Sequence, residues 1–486
     1  MMAVASVTPR GPKFRGGWPR AGLTVCAAWH RTNTGWLAGR HNWSLRLGSR
    51  RQTDRGPEMG RNRVAIIQDR SPGRNWAGNY AYGAERLHRP ATVEQVQEVV
   101  AKAPAVRVLG SRHSFNDIPD SSELVTLEDI PGDVVFDRAA GTVSFNAGLK
   151  YGELVGALGA EGVALHNLAS LPHISVAGAV ATATHGSGDA TGNLATAVAG
   201  LELVTSDGEI FETSRGEPDF DGLVVGLGAL GAVTRITLDV EPAYEVRQRV
   251  FEGLGWESLF EHYDEITSCG YSVSVFTRWG ESVDQVWVKS RVTSEPEAVR
   301  EDLFGAVAAV VDRHPILGLD ATSCTLQLGR PGLWSDRLPH FRMGFTPSSG
   351  EELQSEYLVP RRHAVEAIGV VRVLAEMIRP VLQVSEIRSV AADRLWLSTS
   401  YGRESVCIHF TWEPEPEAVG DVLIQLEAAL APFGARPHWG KLFDADAAAI
   451  APLYGRLPEF VRLIERLDPR GAFRNSWLRT RVLGES

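Results

Sequence analysis

Cysteine is scarce in this 486-residue chain, which holds four, at positions 26, 269, 324 and 407, with no Cys-x-x-Cys pair. That spacing excludes a disulfide framework and a cysteine-built zinc site, and it suits a reducing cytoplasm. Long apolar runs are missing too, since none approaches the ~20 residues needed to span a bilayer. Positive charge is in deficit, with 49 Lys+Arg against 59 Asp+Glu and a formal net charge of −10. That balance argues against nucleic acid or an anionic membrane surface as partner. No repeat of solenoid period is present. The remainder, 44% hydrophobic and 22% charged, is globular in composition. The chain is too long for one ordinary core, so two or more domains are expected.

The first 58 residues stand apart from the rest. They carry ten Lys+Arg against two acids, Asp54 and Glu58, a net of +8 that leaves −18 for the remainder. Trp18, Trp29, Trp36 and Trp43 lie among them without helical or strand period. Transit peptides are Arg-rich and acid-poor, but "AGLTVCAAW" is a short, weak apolar stretch for export, and no apolar run follows Arg50-Arg51. Residues 1–58 are therefore read as a basic leader outside the fold, with the working chain starting near Met59.

Beyond the leader the pattern is regular. Thr92 and Gln95 form a capping box ahead of Val93, Val96, Val99 and Val100, predicting a helix that Pro104 ends. "AVRVLG" then reads as a buried strand, followed by strands in "LVTLEDI", "DVVFD" and "TVSFNAG", the last two a hairpin across residues 138–141. "YGELVGALGAEG" predicts a helix, and "LELVTSDGEIFE" a hairpin turning at Asp207-Gly208. This mixed order indicates α+β rather than a strictly alternating wind. Near Glu241-Pro242 the character changes. Residues 246–430 hold longer helical patterns such as "PRRHAVEAIGVVRVLAEMIRPVL" and alternating strands such as "SVCIHFTWE". The last ~50 residues return to short loops.

"GLGALG" at 226–231 matches the G-x-G-x-x-G dinucleotide pattern, which needs a helix after its glycines to meet the pyrophosphate. Here "AVTRITLDVEP" follows, alternating and β-branched, so the stretch predicts a glycine turn feeding a strand. The run "ASLPHISVAGAVATATHGSGDATGN" is rich in small and hydroxylated residues. It offers N–H groups and hydroxyls without bulk, the chemistry of a loop that holds a polyanion; a flexible polar loop is the commoner use of such stretches. His113, in "LGSRHSFND", lacks metal-ligand partners at close spacing and lies outside any apolar period. A reactive or anchoring histidine on a loop after a strand fits it.

Four segments carry a resemblance. Pro172-His-Ile-Ser-Val-Ala-Gly178, Thr184-His-Gly-Ser-Gly188, Gly228-Ala-Leu-Gly-Ala-Val233 and Asp468-Pro-Arg-Gly-Ala-Phe-Arg-Asn475 are similar, in this order, to the vanillyl-alcohol-oxidase type of FAD oxidoreductase. Within that type, "NWAGN", "RHSFND", "NLASLPHISVAG", "FTPSSGEELQSEY", "SEIRSVAAD", "IHFTW" and "RPHWGK" resemble the bacterial alditol oxidases, including xylitol oxidase. The resemblance covers roughly residue 75 to the C-terminus.

It implies an α+β, two-domain FAD-binding fold of the PCMH type. Residues 59–245 would bind FAD, 246–430 would form an α+β substrate (cap) domain, and 431–486 would return to the FAD site. His113 would bond covalently to the flavin 8α-methyl group. Gly110, Ser111, Arg112 and Ser114, with Ser175, Gly178, Thr184, His185, Gly186, Ser187, Gly188, Val233 and Asn475, would complete the FAD site. Many members have glycine where this chain has Arg112, and a guanidinium suits a pyrophosphate. Ser170, Glu386, Arg388, His409, Thr411 and Lys441 would build the substrate pocket. The implied activity is oxidation of a terminal CH2OH of a linear polyol such as xylitol or sorbitol, with dioxygen reduced to hydrogen peroxide. A cytoplasmic monomer without nucleic-acid, membrane or metal partners is expected.

The residues themselves agree with that reading. Glu386 and Arg388, like His409 and Thr411, alternate, so each pair shares one face of a strand. Charges on one strand face suit a polyol better than a dry core, although a solvated sheet face would serve each residue alone. A proton acceptor that titrates near neutrality favours His409. Lys441 shares that role if burial lowers its pKa, and otherwise stabilises alkoxide charge. The alternatives are a sugar-lactone oxidase or dehydrogenase on the same fold, or a flavin-free hydrolase or sugar-binding protein.

Overall fold

The computed structural model describes residues 67–69, 72–294, 301–345 and 352–485; the basic leader lies outside them. All of these fall in one compact unit, Val64–Ser486. Its first part is built on two sheets. In the smaller, β1 (Ile67–Asp69), β2 (Arg86–Arg89), β3 (Val106–Val108) and β4 (Glu123–Val125) lie in the order β1-β2-β4-β3, with β4 parallel to both neighbours. Between β2 and β3 runs α1 (Val93–Lys102), where Thr92 accepts the Gln95 N–H and Gln95 reaches back to the Ala91 N–H. Thr92 caps the helix as the sequence predicts, but Gln95 bonds Ala91 rather than Thr92, so the reciprocal half of the box is not formed. Val96, Val99 and Val100 are its buried stripe.

A second sheet holds β5 (Val135–Asp137), β6 (Thr142–Asn146), β7 (Val198–Val204), β8 (Ile210–Ser214) and β9 (Ala232–Asp239), in the order β5-β6-β9-β7-β8. Both predicted hairpins are present, and α2 (Tyr151–Ala160) follows β6. The turn before β9 confirms that no Rossmann helix opens there. Gly231 has φ +148, and a Cβ on it would sit 2.6 Å from Leu203 Cδ1 and 2.7 Å from the Val204 carbonyl. Only glycine fits that approach.

From Glu245 onward one ten-stranded sheet dominates. Its centre runs β10 (Glu245–Leu254), β12 (Val283–Arg291), β11 (Ser272–Thr277), β14 (Leu382–Val390), β15 (Ser405–Trp412) and β13 (Leu353–Pro360), all antiparallel, with β16 (Arg436–Pro437) at one edge. Strand β15 shows why one face is dry. Val406, Ile408, Phe410 and Trp412 join the main core together with Ile368 and Val371 of α3 (Ala364–Val373) and Val419, Leu423 and Leu426 of α4 (Pro416–Leu430). Burying each such side chain contributes roughly 1.5–3 kcal/mol. The intervening residues, Cys407, His409 and Thr411, take the opposite face.

Two expectations are corrected. The "PRRHAVEAIGVVRVLAEMIRPVL" pattern is not one long helix: α3 stops at Val373, Leu374 leaves helical geometry, and a short helix, Ala375–Ile378, gives way to a turn at Pro380. The β-branched run before the break is a weak helix former and proline cannot continue the ladder. The strand in "LVTLEDI" is short, Glu123–Val125, and the segment turns where the Ile130 N–H meets the Leu127 carbonyl.

Candidate active site

The loop after β3 carries His113. Arg112 occupies φ +64, in the left-handed region that favours glycine. Its guanidinium donates to the Pro72 carbonyl. His113 Nδ1 lies 3.0 Å from Ser111 Oγ, which itself accepts the Ser175 N–H at 2.8 Å. Trp76 stacks on the imidazole at 5.2 Å, and burial lowers the His113 pKa to about 4. The ring is therefore neutral at pH 7.

Around it lies a cradle of small residues. A Cβ at Gly110 would come 2.5 Å from Ser175 Oγ, and one at Gly178 would come 2.7 Å from the same atom. Among the described residues, the N–H groups of Arg112, His113 and Ser114 make no hydrogen bond. Successive unpaired N–H groups in a turn form an anion-binding nest. Thr182 and Thr184 add hydroxyls 3.1 Å apart, and among the described residues no carboxylate lines this half of the cavity. The donor set fits a dinucleotide pyrophosphate.

The cavity, about 770 Å³, continues from this cradle to the polar face of the large sheet. Three hydrogen bonds tie its halves together. Phe115 N–H donates to the Gly440 carbonyl, and Asn116 Nδ2 donates to those of Trp439 and Lys441. The sheet then sets three side chains in one row, because Glu386 on β14 and Glu356 on β13 both pair with His409 on β15. Lys441 Nζ reaches Glu356 Oε2 at 2.7 Å and His409 Nδ1 at 2.8 Å. Arg388 donates to Glu356 Oε1 at 2.6 Å, and His409 Nε2 meets Thr411 Oγ1 at 3.1 Å. Ser170 also lines the cavity, its carbonyl accepting the His340 N–H.

Charge is packed here without water-like screening, so each group is set by its neighbours. Burial opposes ionisation of Glu356, but Lys441 and Arg388 outweigh it and hold the carboxyl well below its ordinary range. Glu386 is likewise held low, with Arg388 and His340 overcoming burial. Burial and the Lys441 ammonium push His409 well below 6.5. Burial lowers Lys441 from 10.5, partly offset by Glu356. His409 is thus a neutral ring, poor as a lone base, which departs from the expectation that it titrates near neutrality.

Ser170, Glu386, Arg388, His409, Thr411 and Lys441 meet on one cavity, as do Gly110, Ser111, Arg112, His113, Ser114, Ser175, Gly178, Thr184 and His185. Five expected FAD-site residues do not line it. Gly186 packs against Asn167 and the Leu168 carbonyl; Ser187 Oγ donates to the Val273 carbonyl; the Gly188 N–H donates to Ser389. That segment seams the first part of the fold to the large sheet. Val233 lies within β9 opposite Leu203, and Asn475 holds the 117–120 turn through its carbonyls. His185 faces the charged row, with Nε2 3.2 Å from Glu356. Glu356 and His340 escaped sequence reasoning. Glu352, Gln354 and Glu356 alternate within "EELQSEYLVP", the same signal that exposed Glu386 and Arg388.

Comparison with known proteins agrees with this geometry. Residues 84–214 match the FAD binding domain family, and residues 349–481 match the D-arabinono-1,4-lactone oxidase family. The chain is 48% identical over 410 residues to an alditol oxidase of Streptomyces sp., covering 83% of this chain and 97% of that protein. It is 26% identical over 429 residues to the L-gulono-1,4-lactone dehydrogenase of Mycobacterium tuberculosis, covering 84% of this chain and 98% of that protein. The cholesterol oxidase from B. sterolicum shares the fold, with a TM-score of 0.69 at 15% identity over 85% of this chain and 96% of that one.

Proposed function

We propose, for a chain that belongs to the alditol oxidase family of FAD-linked oxidoreductases, that it oxidises the terminal primary hydroxyl of a linear polyol to the aldose. The observation that carries this reading is the single cavity joining the His113 cradle to the row Glu356–His409–Glu386. Gly110 to Ser114, Ser175, Gly178 and Thr184 would hold FAD, with His113 as its covalent anchor. Bound FAD supplies a hydride acceptor that dioxygen reoxidises, with hydrogen peroxide as product. Among the described residues Cys269, Cys324 and Cys407 form no disulfide, in keeping with a reducing cytoplasm.

The protein's own part is to bind the polyol and move one proton. A polyol needs alternating donors and acceptors, and Ser170, Glu386, Arg388 and Thr411 supply both. With Lys441 as the free amine, which burial favours, the substrate hydroxyl gives its proton to His409 Nε2 while the Nδ1 proton passes to that amine. His409 begins and ends neutral, as its depressed pKa requires, and the new ammonium forms 2.7 Å from the Glu356 carboxylate. Charge developing on Lys441 therefore meets a preorganised counter-ion.

Purified protein should consume oxygen and release peroxide with xylitol or sorbitol but not with cyclic xylose. Turnover of a sugar lactone in place of polyols would support the lactone-oxidase alternative, which the match over 349–481 keeps as second reading. Acid precipitation tests the anchor: yellow colour should stay with the pellet and be released by His113→Ala. Colour in the wild-type supernatant would refute the covalent link.

A further inference from the structure

Lys289 is a buried cation that this reaction leaves unused. It lies on β12 and is 1% exposed. Its Nζ donates to the carbonyls of Leu338 and Pro339 and contacts His340 Nδ1 at 3.0 Å. The same ring meets Glu386 Oε1 through Nε2 at 2.8 Å. Phe276 and Trp287 hold the imidazole edge-on, each 5.4 Å away. An ammonium has donors only, so Nδ1 must accept and Nε2 must carry the hydrogen. The His340 backbone N–H, in turn, donates to the Ser170 carbonyl at 3.2 Å.

We propose that Lys289 is a positioning residue for polyol binding: it fixes the tautomer of His340, which orients the Glu386 carboxylate and steadies the Ser170 wall. This rests on the alditol-oxidase reading of the cavity. Two carbonyls would be satisfied equally well by a neutral donor, and a buried cation is costly to desolvate. Burial lowers Lys289 to about 7, with Glu386 and Cys324 opposing and Arg388 adding to the fall. Burial and the Lys289 charge bring His340 to about 4, against the pull of Glu386. Where Lys289 is protonated, a neutral, single-tautomer imidazole lies between ammonium and carboxylate.

The test uses the full-length, flavin-loaded protein. Lys289→Met should raise KM for xylitol at least fivefold with kcat within twofold, since Glu386 binds rather than reacts. His340→Leu should match it, and the double variant should be no worse than His340→Leu. His340→Gln, whose amide both accepts and donates, should lose less than His340→Leu. An unchanged KM in Lys289→Met, or multiplied effects in the double variant, would overturn the proposal. Should Lys289→Met fail to fold, equal losses in His340→Gln and His340→Leu would overturn it instead. Nitrogen-15 NMR reads the tautomer without substrate: Nε2–H in the wild type, regardless of turnover, and the opposite tautomer would sink the relay. A wild type that oxidises no polyol strikes the functional reading alone.

Discussion

Glu356 accepts from Lys441 and Arg388 and lies within 3.2 Å of His185. Removing its charge leaves two buried cations facing each other, a costly arrangement. Glu356→Gln should therefore lower kcat at least tenfold, measured with saturating xylitol. It should also move the pH profile. The free Lys441 amine is the active form, so kcat/KM rises with pH through the Lys441 pKa. Glu356 raises that pKa, so its loss should shift the rising limb to lower pH; a shift upward would contradict the relay. At Arg112 the backbone has φ +64, where glycine is unstrained and a β-branched side chain is not. Arg112→Gly should stay within about 1 kcal/mol of the wild type, while Arg112→Val should lose more than about 1 kcal/mol, read by denaturant unfolding.

At the scale of elements, β15 divides labour residue by residue. Ile408 and Phe410 are fully buried in the main core, while His409 and Thr411 line the cavity. Ile408→Ala should cost about 2–5 kcal/mol in unfolding free energy with little change in xylitol KM, because its side chain leaves the cavity wall intact. This alternation was legible in "SVCIHFTW", as were the Thr92 cap of α1 and the two hairpins. The "THGSG" stretch was harder to read. A glycine needed for close approach to a ligand and one needed against Leu168 or Tyr271 look alike in sequence, since both only demand a missing Cβ.

Across the whole molecule, Arg107 ties distant segments together. Its guanidinium is buried and donates to the carbonyls of Ile118, Leu227, Gly228 and Phe473. Arg107→Met would leave those acceptors without their donor, at about 1–3 kcal/mol each where no other partner is found. The variant should unfold at a clearly lower denaturant midpoint, with the flavin absorbance changing in the same transition; an unchanged midpoint would show that water replaces the contacts.

By itself the sequence determined which side chains share a strand face, where glycines interrupt, and which loop delivers His113, because these follow from local period and local sterics. It did not determine who meets whom. Glu356, Glu386 and His409 stand on three separate strands, and Lys289 acts through a loop roughly fifty positions away. Register across those strands, set by the burial of the opposite face as a whole, decided the charge pairs and hence the pKa shifts. Only the tertiary structure holds that information.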